Sequence, residues 1–139
     1  MPYVMMRVEK TMRIGLTSIF VSDQERALRF YTEVLGFRKK AEITAGKFRW
    51  LAVVSPEEPD GTQLQLAPND NPAAKTFQEA MFKQGIYAVN FLVEDLQKEY
   101  ERIRKLGARF TLEPTKTPGS RIAILDDTCG NLIQLTQLT

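Results

Sequence analysis

The apolar positions of this chain change period repeatedly, and each change predicts an element. From Ile14 to Val21 they alternate, with Leu16, Ser18 and Phe20 on one side and Thr17, Ile19 and Val21 on the other, which reads as a strand. Past Ser22 the spacing becomes helical, and Ala27, Phe30, Tyr31, Val34 and Leu35 form one apolar stripe. Ser22 with Glu25 three residues on predicts a capping box at the start of that helix, and Gly36 a left-handed stop at its end. Two strands follow, from about Arg38 to Ile43 and from Phe48 to Val54, turning near Ala45-Gly46. A loop with two prolines, from Ser55 to Gly61, leads to a closing strand from Gln63 to Ala67. The order is β-α-β-β-β.

The same order then returns. Asn71-Pro72 marks a helix start, and Ala73 to Gln84 continues with Phe77, Ala80 and Met81 on one face until Gly85. A strand from Ala88 to Val93, a helix to Leu106 with Leu96, Tyr100 and Ile103 inward, and strands near Arg109 to Leu112, Arg121 to Leu125 and Leu132 to Leu138 complete the second set. The repetition is also literal. Gly61-Thr62-Gln63-Leu64-Gln65-Leu66 is echoed 69 residues on by Gly130-Asn131-Leu132-Ile133-Gln134-Leu135. Val21-Ser22-Asp23 is echoed by Val93-Glu94-Asp95 at 72, and Leu35-Gly36-Phe37 by Leu106-Gly107-Ala108 at 71, so one residue slips within the helix. A period this long suits a duplicated supersecondary module rather than a solenoid. The expected organisation is an arm, 1–12, and one domain, 13–139, made of module 1 (13–69), a linking helix (71–85) and module 2 (86–139).

Composition narrows the function classes. At 139 residues and 43% apolar, the chain can bury the core of one ordinary domain. The net charge of +2 comes from mixed signs without a basic cluster, which argues against nucleic acid as a partner. The single cysteine, Cys129, cannot form an internal disulfide. No apolar run approaches the roughly 20 residues that span a bilayer, and Met1–Met12 lacks the apolar core of a signal peptide. A cytoplasmic protein without membrane contact is expected, with Met12 as an alternative start. The chain has no histidine, so no Ser-His-Asp arrangement is available.

The strand ending in Val21-Ser22-Asp23, then Ala27-Leu28-Arg29-Phe30-Tyr31 and Val34-Leu35-Gly36-Phe37, and the closing run from Asp126 to Leu135 resemble the vicinal oxygen chelate superfamily, which includes glyoxalase I, bleomycin-resistance proteins and extradiol dioxygenases. The resemblance covers nearly everything from Met12 onward. It implies an α+β fold in which two tandem βαβββ modules form a curved mixed sheet, a half-open barrel. In that superfamily's enzymes a metal sits at the barrel's centre, held by His on each module's first strand and Glu, sometimes Gln, on each module's last. Carried over position by position, those sites fall at Leu16, Ala88, Gln65 and Gln134. Leucine and alanine have no donor atom, and amide oxygen is a weaker ligand than carboxylate or imidazole. No metal ligand, no cofactor and no catalytic residue is therefore assigned. Asp60, Asp126 and Asp127 read as turn and capping residues.

Strand alternation still defines a pocket face. With Leu64, Leu66, Val89, Phe91, Val93, Ile133 and Leu135 against the helices, Gln63, Gln65, Ala88, Asn90, Leu92, Gln134 and Thr136 share the opposite face with Leu16, Ser18 and Phe20. Amides and hydroxyls among apolar walls, with no charge, suit a small-molecule pocket better than a freely solvated sheet. Trp50 is a candidate aromatic wall beside Phe48, with core packing an equal alternative for both. Arg49 and Arg121 read as surface residues before anion clamps, Tyr31 as a packing residue before a pocket hydroxyl, and Cys129 as structural before reactive. The leading expectation is a metal-independent binder of a small organic molecule, of the sequestration or resistance type. The alternative is a lyase, isomerase or dioxygenase of the same superfamily with an atypical metal site or metal-free acid-base catalysis, and a third is a vestigial pocket with an interaction role. A homodimer is expected, because members of the superfamily resemble pseudo-symmetric dimers of these modules and short half-barrels leave sheet edges and apolar surface that association can cover.

Overall fold

A computed structural model describes residues 12–139. The expected arm, 1–12, lies outside the described residues except for Met12, which is exposed. The elements are β1 (Leu16–Val21), α1 (Gln24–Arg29) continuing into a π-helical turn (Phe30–Val34), β2 (Arg38–Ala45), β3 (Phe48–Val54), β4 (Gln63–Pro68), α2 (Pro72–Lys83), β5 (Val89–Leu92), α3 (Leu96–Lys105), β6 (Arg109–Thr117), β7 (Ser120–Asp126) and β8 (Leu132–Leu138). This is the βαβββ order twice, joined by α2. The strands form two four-stranded mixed sheets, ordered β1-β4-β3-β2 and β5-β8-β7-β6, and neither closes. In each, the first strand runs parallel to the last and the other neighbours are antiparallel.

The alternation in β1 holds: Ile19 and Val21 are buried, while Leu16, Ser18 and Phe20 stay exposed. Leu51, Val53, Leu64 and Leu66 from the first sheet and Ala123, Leu125, Ile133 and Leu135 from the second join Ala27, Phe30, Tyr31, Leu96 and Ile103 of the helical segments in one core. Tyr100 is also buried, as expected for the inward face of α3.

The slip in the repeat has a location. Leu35 N–H bonds to the Phe30 carbonyl at 3.1 Å, five residues back, so module 1 absorbs its extra residue as a π-helical turn. Gly36 then ends the helix at φ +94, as its place in the sequence requires.

Two local expectations are corrected. The N-cap of α1 is Asp23, not Ser22: its carboxylate accepts the Arg26 N–H at 3.0 Å, which holds Asp23 below its ordinary pKa. The Ser22 N–H instead donates to the Cys129 carbonyl of the other module at 3.0 Å. In α2, the stripe Phe77, Ala80 and Met81 is not the buried face. Phe77 is 58% exposed, and the buried positions are Ala74 and Gln78. The reason is the demand for donors. Gln78 Nε2 points at the carbonyls of Phe20 (2.8 Å) and Cys129 (3.1 Å), which have a better use for an amide than for a phenyl ring.

Candidate functional site

The register fixes which side chains share the sheet faces turned away from the helices. In the first sheet, Ser18 stands beside Gln65, and Ser18 Oγ donates to Gln65 Oε1 at 2.8 Å. Gln65 also faces Ala52 across β3, so Ala52, Trp50 and Phe48 lie on this outer face together, as does Ile43 opposite Trp50. In the second sheet Asn90 stands beside Gln134 and Leu92 beside Thr136. Thr136 Oγ1 donates to Asn90 Oδ1 at 2.6 Å, and Gln134 Nε2 to Thr136 Oγ1 at 3.3 Å. Gln63 Oε1 is buried without a hydrogen-bond partner among the described residues.

The candidate residues thus divide between two sheets that do not pair. Leu16, Ser18, Phe20, Trp50, Gln63 and Gln65 belong to the first, and Asn90, Gln134 and Thr136 to the second, with Ala88 just before β5. Ser18, Phe20 and Ala88 meet in a small pocket of about 130 Å³ under α2, walled by Phe77, Met81 and Tyr87. Asn90 alone of the set reaches an open cleft of about 1200 Å³ between the end of α1, the β3–β4 loop, β5 and α3. Leu16, Trp50, Gln63, Gln65, Gln134 and Thr136 line neither.

The donor set does not fit the superfamily's metal. Leu16 and Ala88 present only carbon, and the Gln65 oxygen already accepts a hydrogen bond from Ser18. Among the described residues, no three His, Cys, Asp or Glu side chains gather as metal ligands would.

The strongest polar cluster lies elsewhere. Asp127, in the turn before β8, is fully buried. Its carboxylate accepts from Tyr31 Oη (2.7 Å), the Cys129 N–H (2.7 Å), the Asn131 N–H (3.0 Å) and Asn131 Nδ2 (2.8 Å). Burial pushes its pKa above the ordinary value, and these hydrogen bonds pull it part of the way back. Burial and the neighbouring carboxylate hold the Tyr31 hydroxyl well above its usual pKa, which keeps it protonated as a donor to Asp127. Asn131 Nδ2 also donates to the Phe20 carbonyl at 2.8 Å, and Gln78 accepts from Asn69 at 2.7 Å, so this cluster ties both modules to α2. A Cβ at Gly130, which has φ +98, would sit 2.7 Å from the Gln78 amide nitrogen. Cys129 is buried, and burial pushes its thiol up to about 11, which disfavours the thiolate. Arg49 is engaged by Glu42 (2.7 Å) and Glu25 (3.1 Å), and Arg121 shares the helix-side face of β7 with Ala123.

Sequence reasoning missed Gln78 and the cleft. A polar residue four positions from Ala74 on an otherwise small or apolar face was the available sign of the first, and the unbalanced pair Glu57-Glu58 of the second.

The family model of the Glyoxalase/Bleomycin resistance protein/Dioxygenase superfamily matches residues 13–135. The chain belongs to this superfamily. It is 56% identical over 126 residues to the uncharacterized protein YurT of Bacillus subtilis (strain 168), covering 91% of this chain and 99% of that one. Among solved structures it is similar to TnmS3, an antibiotic binding protein from Streptomyces sp. CB03234, with a TM-score of 0.75 at 27% identity, over 95% of this chain and 100% of that one. It is also 29% identical to a lactoylglutathione lyase of Neisseria meningitidis serogroup B (strain MC58), over 91% of each chain. The α+β fold and superfamily expected from the sequence therefore stand. Among the described residues, no helix is long and apolar enough to cross a membrane.

Proposed function

We propose that this protein binds a small organic molecule on the outer faces of its sheets without using a metal, as a sequestration or resistance protein does. The observation that carries the reading is the make-up of those faces. Uncharged amides and hydroxyls, already oriented by hydrogen bonds, stand among Leu16, Phe20 and Trp50, and carbon occupies two of the four superfamily ligand positions. The likeness to an antibiotic binding protein supports it. The site is completed in a homodimer. Leu16, Ile43 and Phe48 remain exposed on the outer face of the first sheet, and β1 and β5 are sheet edges, so a second copy would cover apolar surface and free backbone together. Cofactors have no part in this reading, and a cytoplasmic location is consistent with it.

The test is a thermal-shift screen of metabolites and antibiotics on purified protein, with and without chelator, with molar mass followed by light scattering. The expected outcome is a melting point raised by an organic compound regardless of chelator, on a particle of two chains. A melting point that moves only with divalent metal sinks the binding part, and a monomer at assay concentration sinks the dimer part. A second reading, an enzyme with an atypical metal site or metal-free acid-base chemistry, is favoured by the likeness to the lactoylglutathione lyase. Stoichiometric nickel, zinc, manganese or iron in the purified protein would establish its metal-dependent form.

A further inference from the structure

We propose that the open cleft of about 1200 Å³ is a second binding site, for an organic cation that carries an apolar body. The duplication supplies the argument. At a spacing of 69, Asp127 of module 2 corresponds to Glu58 of module 1, and Asn131 to Thr62. Tyr31 corresponds to Arg102 or Ile103, on either side of the one-residue slip.

Neither side-chain donor that satisfies Asp127, the Tyr31 hydroxyl or the Asn131 amide, has a free counterpart around Glu58. Ile103 has no donor. Arg102 spends its guanidinium on the Val34 (3.0 Å) and Leu35 (3.4 Å) carbonyls and on Glu99 (3.0 Å). Thr62 donates its hydroxyl to the Ile14 carbonyl at 2.9 Å. Gln78, which does not touch Asp127 but bridges the Phe20 and Cys129 carbonyls at the sealed junction, has no counterpart here, because α2 covers only that junction. Among the described residues, no hydrogen bond or ion pair engages the side chains of Glu57, Glu58 or Glu94, and all three line the cleft.

What occupies the place of the missing donors is an apolar wall. Phe37 and Phe91 meet edge to face with ring centroids 4.8 Å apart, and Leu35, Leu92 and Leu138 extend the surface. The cleft therefore offers a hydrophobic wall with a carboxylate rim, and its one lining cation is already neutralised. A neutral ligand would gain only the wall, and an anionic one would be repelled. A protonated amine on an aryl or alkyl body gains both parts.

The test uses the full-length protein, labelled with ¹⁵N, and three probes of one shape: 4-phenylbutylamine, 4-phenylbutanol and 4-phenylbutyrate. The amine is expected to shift the amides of Phe91 to Glu94, to bind more weakly as salt rises, and to bind tighter than the alcohol and far tighter than the carboxylate. Replacing the exposed rim residues Glu58→Gln and Glu94→Gln together is expected to weaken the amine by about tenfold, leaving the alcohol unchanged. Leu92→Lys, at a position already 68% exposed, is expected to abolish amine binding while the amide spectrum stays folded. Equal binding of amine and alcohol, an unaltered amine affinity in the double variant, or shifts confined to the outer-face residues Ser18, Trp50 and Gln65 would each overturn the assignment. Failure of the thermal-shift screen would not, because the wall of Phe37 and Phe91, like Glu58, lies off the outer faces, which the cleft borders only at Asn90, Leu92 and Leu138.

Discussion

The two junctions between the modules occupy corresponding places in a duplicated chain, yet one is sealed and the other is open. Where the end of β1 meets the turn before β8, a buried carboxylate accepts four hydrogen bonds and a glutamine from α2 bridges the carbonyls of both modules. Where the end of β5 meets the loop before β4, the corresponding carboxylate is exposed and the space stays open. The difference follows from connectivity. Duplication makes two junctions but only one linker, and the linker helix can serve only one of them. The sealed junction ties both modules to α2 by hydrogen bonds, and the open one is where the second binding site is proposed.

The largest test of that contrast is Asp127→Ala. It leaves the Tyr31 hydroxyl and the Cys129 and Asn131 amides buried without their acceptor, and each such group costs about 1–3 kcal/mol. The expected loss is about 3–5 kcal/mol in urea denaturation. A loss below about 1 kcal/mol would mean that the cluster does not hold the modules together.

The strands and most helix ends were legible because they are local. Ile19 and Val21 alternate with Ser18 and Phe20 whatever lies across the chain, and Gly36 or Asn71 does its work within a few residues. The turn role read for Asp127 was also correct, since two of its hydrogen bonds go to backbone only two and four residues on. What stayed hidden crosses the chain. Tyr31 meets Asp127 at a separation of 96, and nothing near either residue announces the other. The cap of α1 moved to Asp23 for a related reason, because the Ser22 amide is used by the far module. In α2 the usual rule chose Phe77 for the interior, whereas unpaired carbonyls chose Gln78. The outer-face pattern was readable strand by strand, but its division between two unpaired sheets was not.

A smaller and more specific test is Tyr31→Phe, expected to cost about 1–2 kcal/mol near neutral pH. Its pH dependence carries the diagnosis. Burial raises Asp127 in the folded state above its unfolded value of 3.8, so the folded protein holds that proton more tightly. The resulting stability is complete below the unfolded value and is lost as pH rises through the folded one. Removing the tyrosine donor raises Asp127 further still. The deficit of the variant relative to wild type should therefore grow as pH rises from about 4 and level off once the carboxyl ionises in both proteins. Urea midpoints measured from pH 4 to 7 read this directly, and a deficit that is larger at acid pH would show that the hydroxyl does not serve the ionised carboxylate.

Glu58→Ala is the matching cut at the open junction, and its expected effect on stability is the smallest. The turn there is held by main chain, with the Glu58 N–H bonded to the Ser55 carbonyl at 3.0 Å and the Gly61 N–H to the Glu58 carbonyl at 2.9 Å, and these bonds survive loss of the side chain. The carboxylate itself faces solvent, so its removal strands no buried donor. The urea midpoint should stay within the scatter of the measurement while Asp127→Ala shifts it strongly. If Glu58→Ala instead destabilised the protein as Asp127→Ala does, the second junction would be closed in solution by contacts like the first. There would then be no open cleft for a cation to enter, and the asymmetry would belong to the side-chain placement and not to the connectivity of the fold.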